Sequence, residues 1–372
     1  MILLAKTLVS ALFFCTLSLV GFSTNYSTLS LTSEHKDSFL DACTPNKKHI
    51  YGQLFAKNES VDEQITVFSR PNISELSQKE LHILTNACKK TTQFLTSRTK
   101  KFFTYQHAPR SKKALLITLN FADPALFRFC KSNLFAQDEI QVAEHPHLGL
   151  LAQEIAEDAP AVLDTRSNSV IIHNVPQLCR IDSQKPIDGK ILYGNNFASA
   201  SVAEIDHRLS LLEPHQNNTL LAICAPNVTG RRVYTTMMIQ DFFAQILSGF
   251  QHTQAVTTEL GFKKIIIHSG GLGTGAFGHH KVVSIVLQLI AAQIVSQSMK
   301  NPRNLEIRFF GTTEKTYRKA FDIFKAFKSQ LKKEKFDFSH EILTQENENR
   351  TVEILVKIFN QKNIFPHQGT GD

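Results

Sequence analysis

The 372-residue chain has no tryptophan, four methionines and six cysteines, and 20% of its residues are charged. Its aromatic content rests mainly on 28 phenylalanines. The cysteines (Cys15, Cys43, Cys88, Cys130, Cys179 and Cys224) form no CxxC pair and no cysteine–histidine cluster at ligand spacing, which argues against a zinc site and predicts no metal. A mature chain starting after Cys15 would keep an odd five, so a full disulfide framework is not implied. Beyond the N-terminus there is no apolar run of membrane-spanning length. Basic residues are not regularly interleaved with aromatics, which argues against nucleic-acid binding. The 42% hydrophobic content excludes a disordered chain. Lys and Arg number 41 against 33 for Asp and Glu, and this excess of +8 suits an anionic partner or serves solubility.

Lys6 precedes an apolar stretch, Thr7–Phe22, in the pattern of a secretory signal or an anchor over residues 1–22. Residues 23–35 read as a linker. The expectation is therefore a secreted or exported protein, delivered to a host cell in one version of that reading, with no membrane contact beyond an N-terminal anchor. Sequons at Asn25, Asn58, Asn72, Asn217, Asn227 and Asn349 matter only in a eukaryotic secretory pathway.

Residues 36–110 read as a helical accessory region, with a helix over 74–97 that Ser74 could cap. Its dibasic pairs, Lys47-Lys48, Lys89-Lys90 and Lys100-Lys101, read as solvated faces, and 108–111 as a linker. From 111 to 360 the rhythm becomes strand–helix alternation, followed by a tail at 361–372. Apolar runs predict strands at 114–121, 169–175, 219–226, 263–269 and 304–311, and helices at 236–250 and 281–300. This pattern predicts a mainly parallel sheet covered on both faces. Residues 176–218 read as a long polar loop of the kind that builds ligand sites.

The strongest chemical signal is HSGGLGTGAFGHH, residues 268–280, between a predicted strand and a predicted helix. Gly270, Gly271, Gly273, Gly275 and Gly278 let the backbone turn sharply and approach a ligand. Loop amides and a helix N-terminus together make an anion site. The alternative is a tight strand–helix turn. Gly273-x-Gly275-x-x-Gly278 fits a dinucleotide fingerprint in spacing, but the next strand lacks the ribose-binding acid. His279 occupies the place of a P-loop lysine, which excludes an NTPase. His279 and His280 could neutralise a phosphate or be exposed polar residues at a helix start.

Residues 269–293 resemble the diphosphate-binding loop and following helix of poly(ADP-ribose) glycohydrolases, members of the macrodomain superfamily. The matching residues are Gly270, Gly273, Gly275, Ala276, Phe277 and Gly278, then Leu287, Gln288, Ala291 and Ala292. A second match is LNFAD (119–123) followed by Gln137-Asp138-Glu139, where the family carries a strand end and a Gln-Glu-Glu catalytic loop opening a helix. The resemblance covers roughly 113–325. It departs at Arg128-Phe129-Cys130, where the family has three glycines, and at Asp123, where it has Asn. A catalytic loop of another shape is implied.

The resemblance implies an α/β, three-layer α/β/α macrodomain-like mixed sheet with the helical accessory region in front. It implies an ADP-ribose-binding hydrolase, without a cofactor, acting on ADP-ribose or an ADP-ribosylated protein. Glu139 would be the acid–base carboxyl, and Asp138 would orient a ribose hydroxyl or stabilise developing charge. Gln137 would bond the substrate and Asp123 the distal ribose. Ser269, Thr274 and the Gly270–Gly278 backbone would hold the diphosphate, and Phe277 would pack on the distal ribose. Tyr193 and Phe197 are candidates to stack adenine, or else core aromatics. Asp138 and Glu139 are otherwise ordinary acids in a helix's first turn, and Glu144 is a substitute acid. The competing readings are a non-catalytic ADP-ribose reader, favoured by the missing glycines, and a nicotinamide-dependent oxidoreductase.

Overall fold

The computed structural model describes residues 26–27, 33–57, 65–73, 86–87, 90, 94–100, 113–158, 160–333 and 345–366. The signal-like segment 1–22, most of the helix expected over 74–97 (residues 74–85, 88–89 and 91–93) and residues 367–372 of the tail lie outside them. One eight-stranded mixed sheet organises the chain. The strands are β1 (Tyr26–Ser27), β2 (Thr66–Pro71), β3 (Leu95–Arg98), β4 (Ala114–Ala122), β5 (Asn168–Ile181), β6 (Leu209–Cys224), β7 (Lys264–Ser269) and β8 (Leu305–Phe309). Their order is β1-β2-β5-β6-β4-β7-β8-β3. The first three pairings are antiparallel, and the four from β6 through β4, β7 and β8 to β3 are parallel.

The strands' alternation divides the core into two layers. On one side Phe68, Ile117, Leu119, Ile171, Leu221, Ile223, Ile265 and Ile267 pack under α6 (Thr236–Glu259), α7 (Lys281–Ser298), α8 (Glu314–Lys333) and α9 (Gln345–Gln361). On the other Val67, Val170, Ile172, Leu220 and Ala222 meet α1 (Ser33–Asp41), α2 (Pro45–Lys57), α3 (Gln137–Glu144), α4 (His147–Asp158) and the short α5 (Val202–Asp206). The result is a three-layer α/β/α fold. Among the described helices α7 alone is long and apolar enough to cross a membrane, but it lies buried in the core, as an all-round apolar helix should in a globular protein.

Two sequence expectations need correction. Residues 36–110 are not only helical: they give α1 and α2 but also β2 and β3, and 95–97 extend along β8 instead of ending a helix. Burial in β2 and pairing to β8 override weak local propensity there. Likewise 176–218 is not one loop, because β5 and β6 continue into it as a ribbon pairing Gln177 with Gln216 and Arg180 with Ser210. Its polar pairing residues hid the strands, and only 182–208 connects them.

Candidate active site

β6, β4 and β7 are parallel neighbours with β4 in the middle, so their C-terminal ends share one edge of the sheet. The loops leaving that edge are 123–136, 225–235 and 270–280. Open α/β sheets bind ligands in the crevice outside such an edge. The first loop leads into α3 on one face, and the third leads into α7 on the other.

Within the glycine loop, Gly273 and Gly278 have φ of +71° and +73°, a conformation that side chains disfavour. The Gly273 carbonyl accepts from the His279 amide at 3.0 Å and Gly275 from Gly278 at 3.0 Å, folding the loop back on itself. Its outer side is clasped by the β6 loop: the Val228 amide donates to Phe277 at 2.9 Å, and the Thr229 hydroxyl to Ala276 at 2.7 Å. Ser269 donates to the buried Gln288 side chain, which itself donates to the Gly270 carbonyl at 3.0 Å. Thr274 donates its hydroxyl to Gly271 at 2.8 Å, so it shapes the loop. Among the described residues the amides of Gly275, Ala276 and Phe277 have no intramolecular acceptor, and Gly275 and Ala276 are exposed at the apex. Three consecutive donors ahead of a helix N-terminus are available to an anion.

Neither histidine is the exposed polar residue expected at the helix start. His279 is fully buried, donates Nε2–H to the Pro226 carbonyl at 2.8 Å and lies against Phe242 at 4.0 Å between ring centres. His280 caps α7, its Nδ1 accepting from the Val282 amide at 3.1 Å.

At the other loop, Gln137, Asp138 and Glu139 open α3 as anticipated. All three are buried, with exposures of 4%, 5% and 3%. Gln137 is tied to β4: the Phe121 amide donates to its Oε1 at 2.8 Å, and its Nε2 donates to the Leu119 carbonyl at 3.0 Å. Asp138 Oδ1 accepts from Asn120 Nδ2 at 2.8 Å, and that amide also donates to Gln141 Oε1 at 2.7 Å. Asp138 Oδ2 is buried with no partner among the described residues. Glu139 Oε2 accepts from the Ala136 amide at 2.9 Å, so this carboxylate also serves the helix end.

Burial raises both carboxyls, and the Glu139 charge adds to the rise of Asp138, which reaches about 8. Asp123 adds a third negative charge near the pair; its Oδ1 accepts from the Ala125 amide at 3.0 Å.

The loop between β4 and α3 has no glycine from 124 to 136 and is built of consecutive tight turns. The amides of Arg128, Cys130 and Ser132 donate to the carbonyls of Ala125, Phe127 and Phe129, each at 3.0 Å, in overlapping tight turns. Phe127 adopts φ +60°, which bulky residues disfavour, and its ring is buried. Tyr51 donates its hydroxyl to the Cys130 carbonyl at 2.9 Å, pinning the loop to α2.

The two aromatic candidates separate. Tyr193 is half-buried beside the acids, its hydroxyl bonded to the Gln137 backbone. Phe197 has 0% exposure and stacks on Phe135 at 4.2 Å and 12°, so it is a core aromatic with no face open to a base. Glu144 is also buried, but it accepts from the Ile181 amide at 2.8 Å and Gln177 at 3.1 Å, which fixes it to β5.

Sequence reasoning missed Lys47, expected on a solvated face. Lys48 does lie there, paired with Asp41 at 2.8 Å, whereas Lys47 has 0% exposure and its ammonium faces α3. The only local sign is its place on the helix face of Ile50, Tyr51 and Leu54. Among the described residues no group of histidine, cysteine, aspartate and glutamate is arranged to hold a metal.

No protein-family model matches the chain, and no curated protein matches it. Solved structures similar to it include poly(ADP-ribose) glycohydrolase from Thermomonospora curvata (12% identity, 79% of this chain and 100% of that one, TM-score 0.37). They also include the Deinococcus radiodurans enzyme in complex with ADP-ribose (13%, 72% and 97%, TM-score 0.39) and the Oceanobacillus iheyensis macrodomain with ADP (12%, 57% and 85%, TM-score 0.32). With identities and scores this low, function has to be read from the residues themselves.

Proposed function

We propose that the protein binds ADP-ribose and removes it, as monomer or polymer, from modified proteins by hydrolysis of a glycosidic bond. The observation that carries this reading is the convergence at one sheet edge of an anion-binding glycine loop and a buried, proton-holding carboxyl pair. Both coincide with the two segments whose sequences resemble the glycohydrolase family.

In this reading the amides of Gly275, Ala276 and Phe277 hold the diphosphate, and the distal ribose extends toward Asp123 and α3. The carboxyl pair acts as a unit, with Glu139 as the acid–base group. Its proton passes to the leaving oxygen as the C1–O bond breaks, and the positive charge that develops on the sugar is stabilised by the remaining carboxylate. A water then adds to C1 and returns its proton to the pair, restoring the starting state. Asp138 Oδ2, buried and without a partner among the described residues, supplies a contact for a ribose hydroxyl. Tyr193 rather than Phe197 is the aromatic available beside the acids.

A non-catalytic reader is the second reading, and the tight-turned loop at 125–132 supports it. Export rests on the N-terminal apolar run alone; cell fractionation of the full chain tests it, with retention in the cytoplasm as the adverse result.

Calorimetric titration with ADP-ribose, NAD and AMP, followed by release assays on ADP-ribosylated protein, tests the function. Selective ADP-ribose binding together with release that Glu139→Gln abolishes is expected. Binding without release in either form establishes the reader. Preference for NAD, or no binding, refutes both.

A further inference from the structure

Lys47 is a basic side chain in the core, carried by a helix outside the segment that bears the glycine loop and the acids. It follows the buried face of α2, where Ile50, Tyr51 and Leu54 occupy the next turns. Its ammonium lies over the rings of Phe135 at 4.7 Å and Phe197 at 5.5 Å. Its single hydrogen-bond partner among the described residues is the Glu139 carbonyl at 3.5 Å. No carboxylate among the described residues lies within ion-pair distance.

Taking an ammonium out of water is costly unless nearby charge compensates for it. The compensation here comes from the two acids opening α3, whose charges both favour the protonated lysine. The helix is also firmly placed: Asn46 donates to the carbonyls of Phe197 at 2.7 Å and Ala200 at 3.1 Å, and Tyr51 to Cys130 at 2.9 Å.

We propose that Lys47 is a positioning residue that fixes the charge of the Asp138–Glu139 pair, opposing a second proton so that one carboxylate of the pair stays ionised. The proposal rests on the hydrolase reading of that pair. A pair with two protons has no carboxylate already ionised when the bond begins to break, and a pair with none could not donate. The lysine selects the intermediate state.

The groups facing these charges act in known directions. Asp123 favours protonation of both acids, Glu139 favours the neutral Tyr193 phenol, and burial keeps the thiols of Cys43 and Cys130 neutral by raising them to about 11 and 12. Lys47 is therefore the cation that acts on both carboxyls. Burial lowers its own titration to about 8, so the device works below that pH.

The test compares wild type with Lys47→Met and Lys47→Arg, following carboxyl-carbon NMR titrations of Asp138 and Glu139 and the pH profile of ADP-ribose release. An opposite charge at close range moves a carboxyl by about 1–3 pH units. In Lys47→Met, Glu139 should therefore titrate at least about one unit higher, with the acid limb of the profile moving up equally. Lys47→Arg should restore both, which a purely structural lysine would not require.

Unchanged titrations in folded Lys47→Met overturn the proposal. Shifted titrations in a protein that releases no ADP-ribose overturn the hydrolase reading and leave the electrostatic role of Lys47 standing. If Lys47→Met does not fold, Glu139→Gln gives the reciprocal measurement. Lys47 should then titrate about one unit or more lower, and no change overturns the proposal.

Discussion

Replacing Gly273 by alanine separates the architecture of the glycine loop from its ligand function. Gly273 has φ +71°, where an L-residue pays about 1–2 kcal/mol. A Cβ there would lie 2.5 Å from Ala225 Cβ and 2.9 Å from His279 Cδ2. Neither neighbour yields easily, since Ala225 follows β6 directly and His279 is fixed by the Pro226 carbonyl and Phe242. Overpacking of this kind costs about 1–3 kcal/mol, and stiffening the unfolded chain returns about 0.4–1 kcal/mol. Gly273→Ala should therefore lose about 1–4.5 kcal/mol of unfolding free energy in urea titrations. A Cβ at Gly275 would meet nothing within 4 Å, so Gly275→Ala should change stability by less than about 0.5 kcal/mol. Because its new methyl sits beside the three apical amides, ADP-ribose affinity should fall about tenfold, or about 1.4 kcal/mol. Equal stability of Gly273→Ala and wild type, or an equal loss in both variants, would refute this account of the loop.

Gln288→Leu should leave the buried Ser269 hydroxyl without its acceptor, while the Gly270 carbonyl keeps the Leu272 amide, lowering stability by about 1–3 kcal/mol in urea and weakening ADP-ribose binding. Lys48→Ala, on the exposed pair with Asp41, should leave stability and pH profile unchanged, in contrast to Lys47→Met. Burial raises Glu144 from 4.5 to about 8, and Asp138 also to about 8. The unfolded chain releases these protons well before the fold does, so stability is full below the ordinary carboxylate range and falls as pH rises toward 8. Burial lowers His252 from 6.5 to about 4, and stability falls as pH drops through that window as well. Urea midpoints should thus decline from about pH 6.5 to 8, and Glu144→Gln should flatten the decline; a rise over that range would contradict the burial of these acids.

The elements legible in the sequence were those with a strong period. The runs at 114–121, 263–269 and 304–311 became β4, β7 and β8 almost residue for residue: β4 and β7 are largely buried on both faces and read as apolar runs, while β8 alternates buried Leu305, Ile307 and Phe309 with Glu306 and Arg308. The glycine loop was legible from its strand–helix frame, and the acid pair only through its resemblance to the family's Gln-Glu-Glu loop, since position alone reads it as ordinary first-turn acids. The β5–β6 ribbon was not, because its outer half pairs polar residues such as Gln177 and Gln216. β3 has only four residues and none fully buried, so its place beside β8 is decided by tertiary pairing. Lys47 looks locally like its neighbour Lys48; only packing against α3 distinguishes them.

The sheet's two outermost regions both come from the first hundred residues. β1 and β2 flank β5 at one end, while β3 pairs with β8 at the other, joining Leu95 to Glu306. During synthesis β3 emerges long before its partner exists, and closing so long a loop before any contact rewards it slows folding. The parallel half of the sheet can assemble from 114–309 while the earlier strands wait on either side. α2, which brings Lys47 to the acids, belongs to that waiting segment. The part of the chain made first therefore cannot complete its contacts until later elements exist, and the acid pair meets its lysine only after α3 has been made.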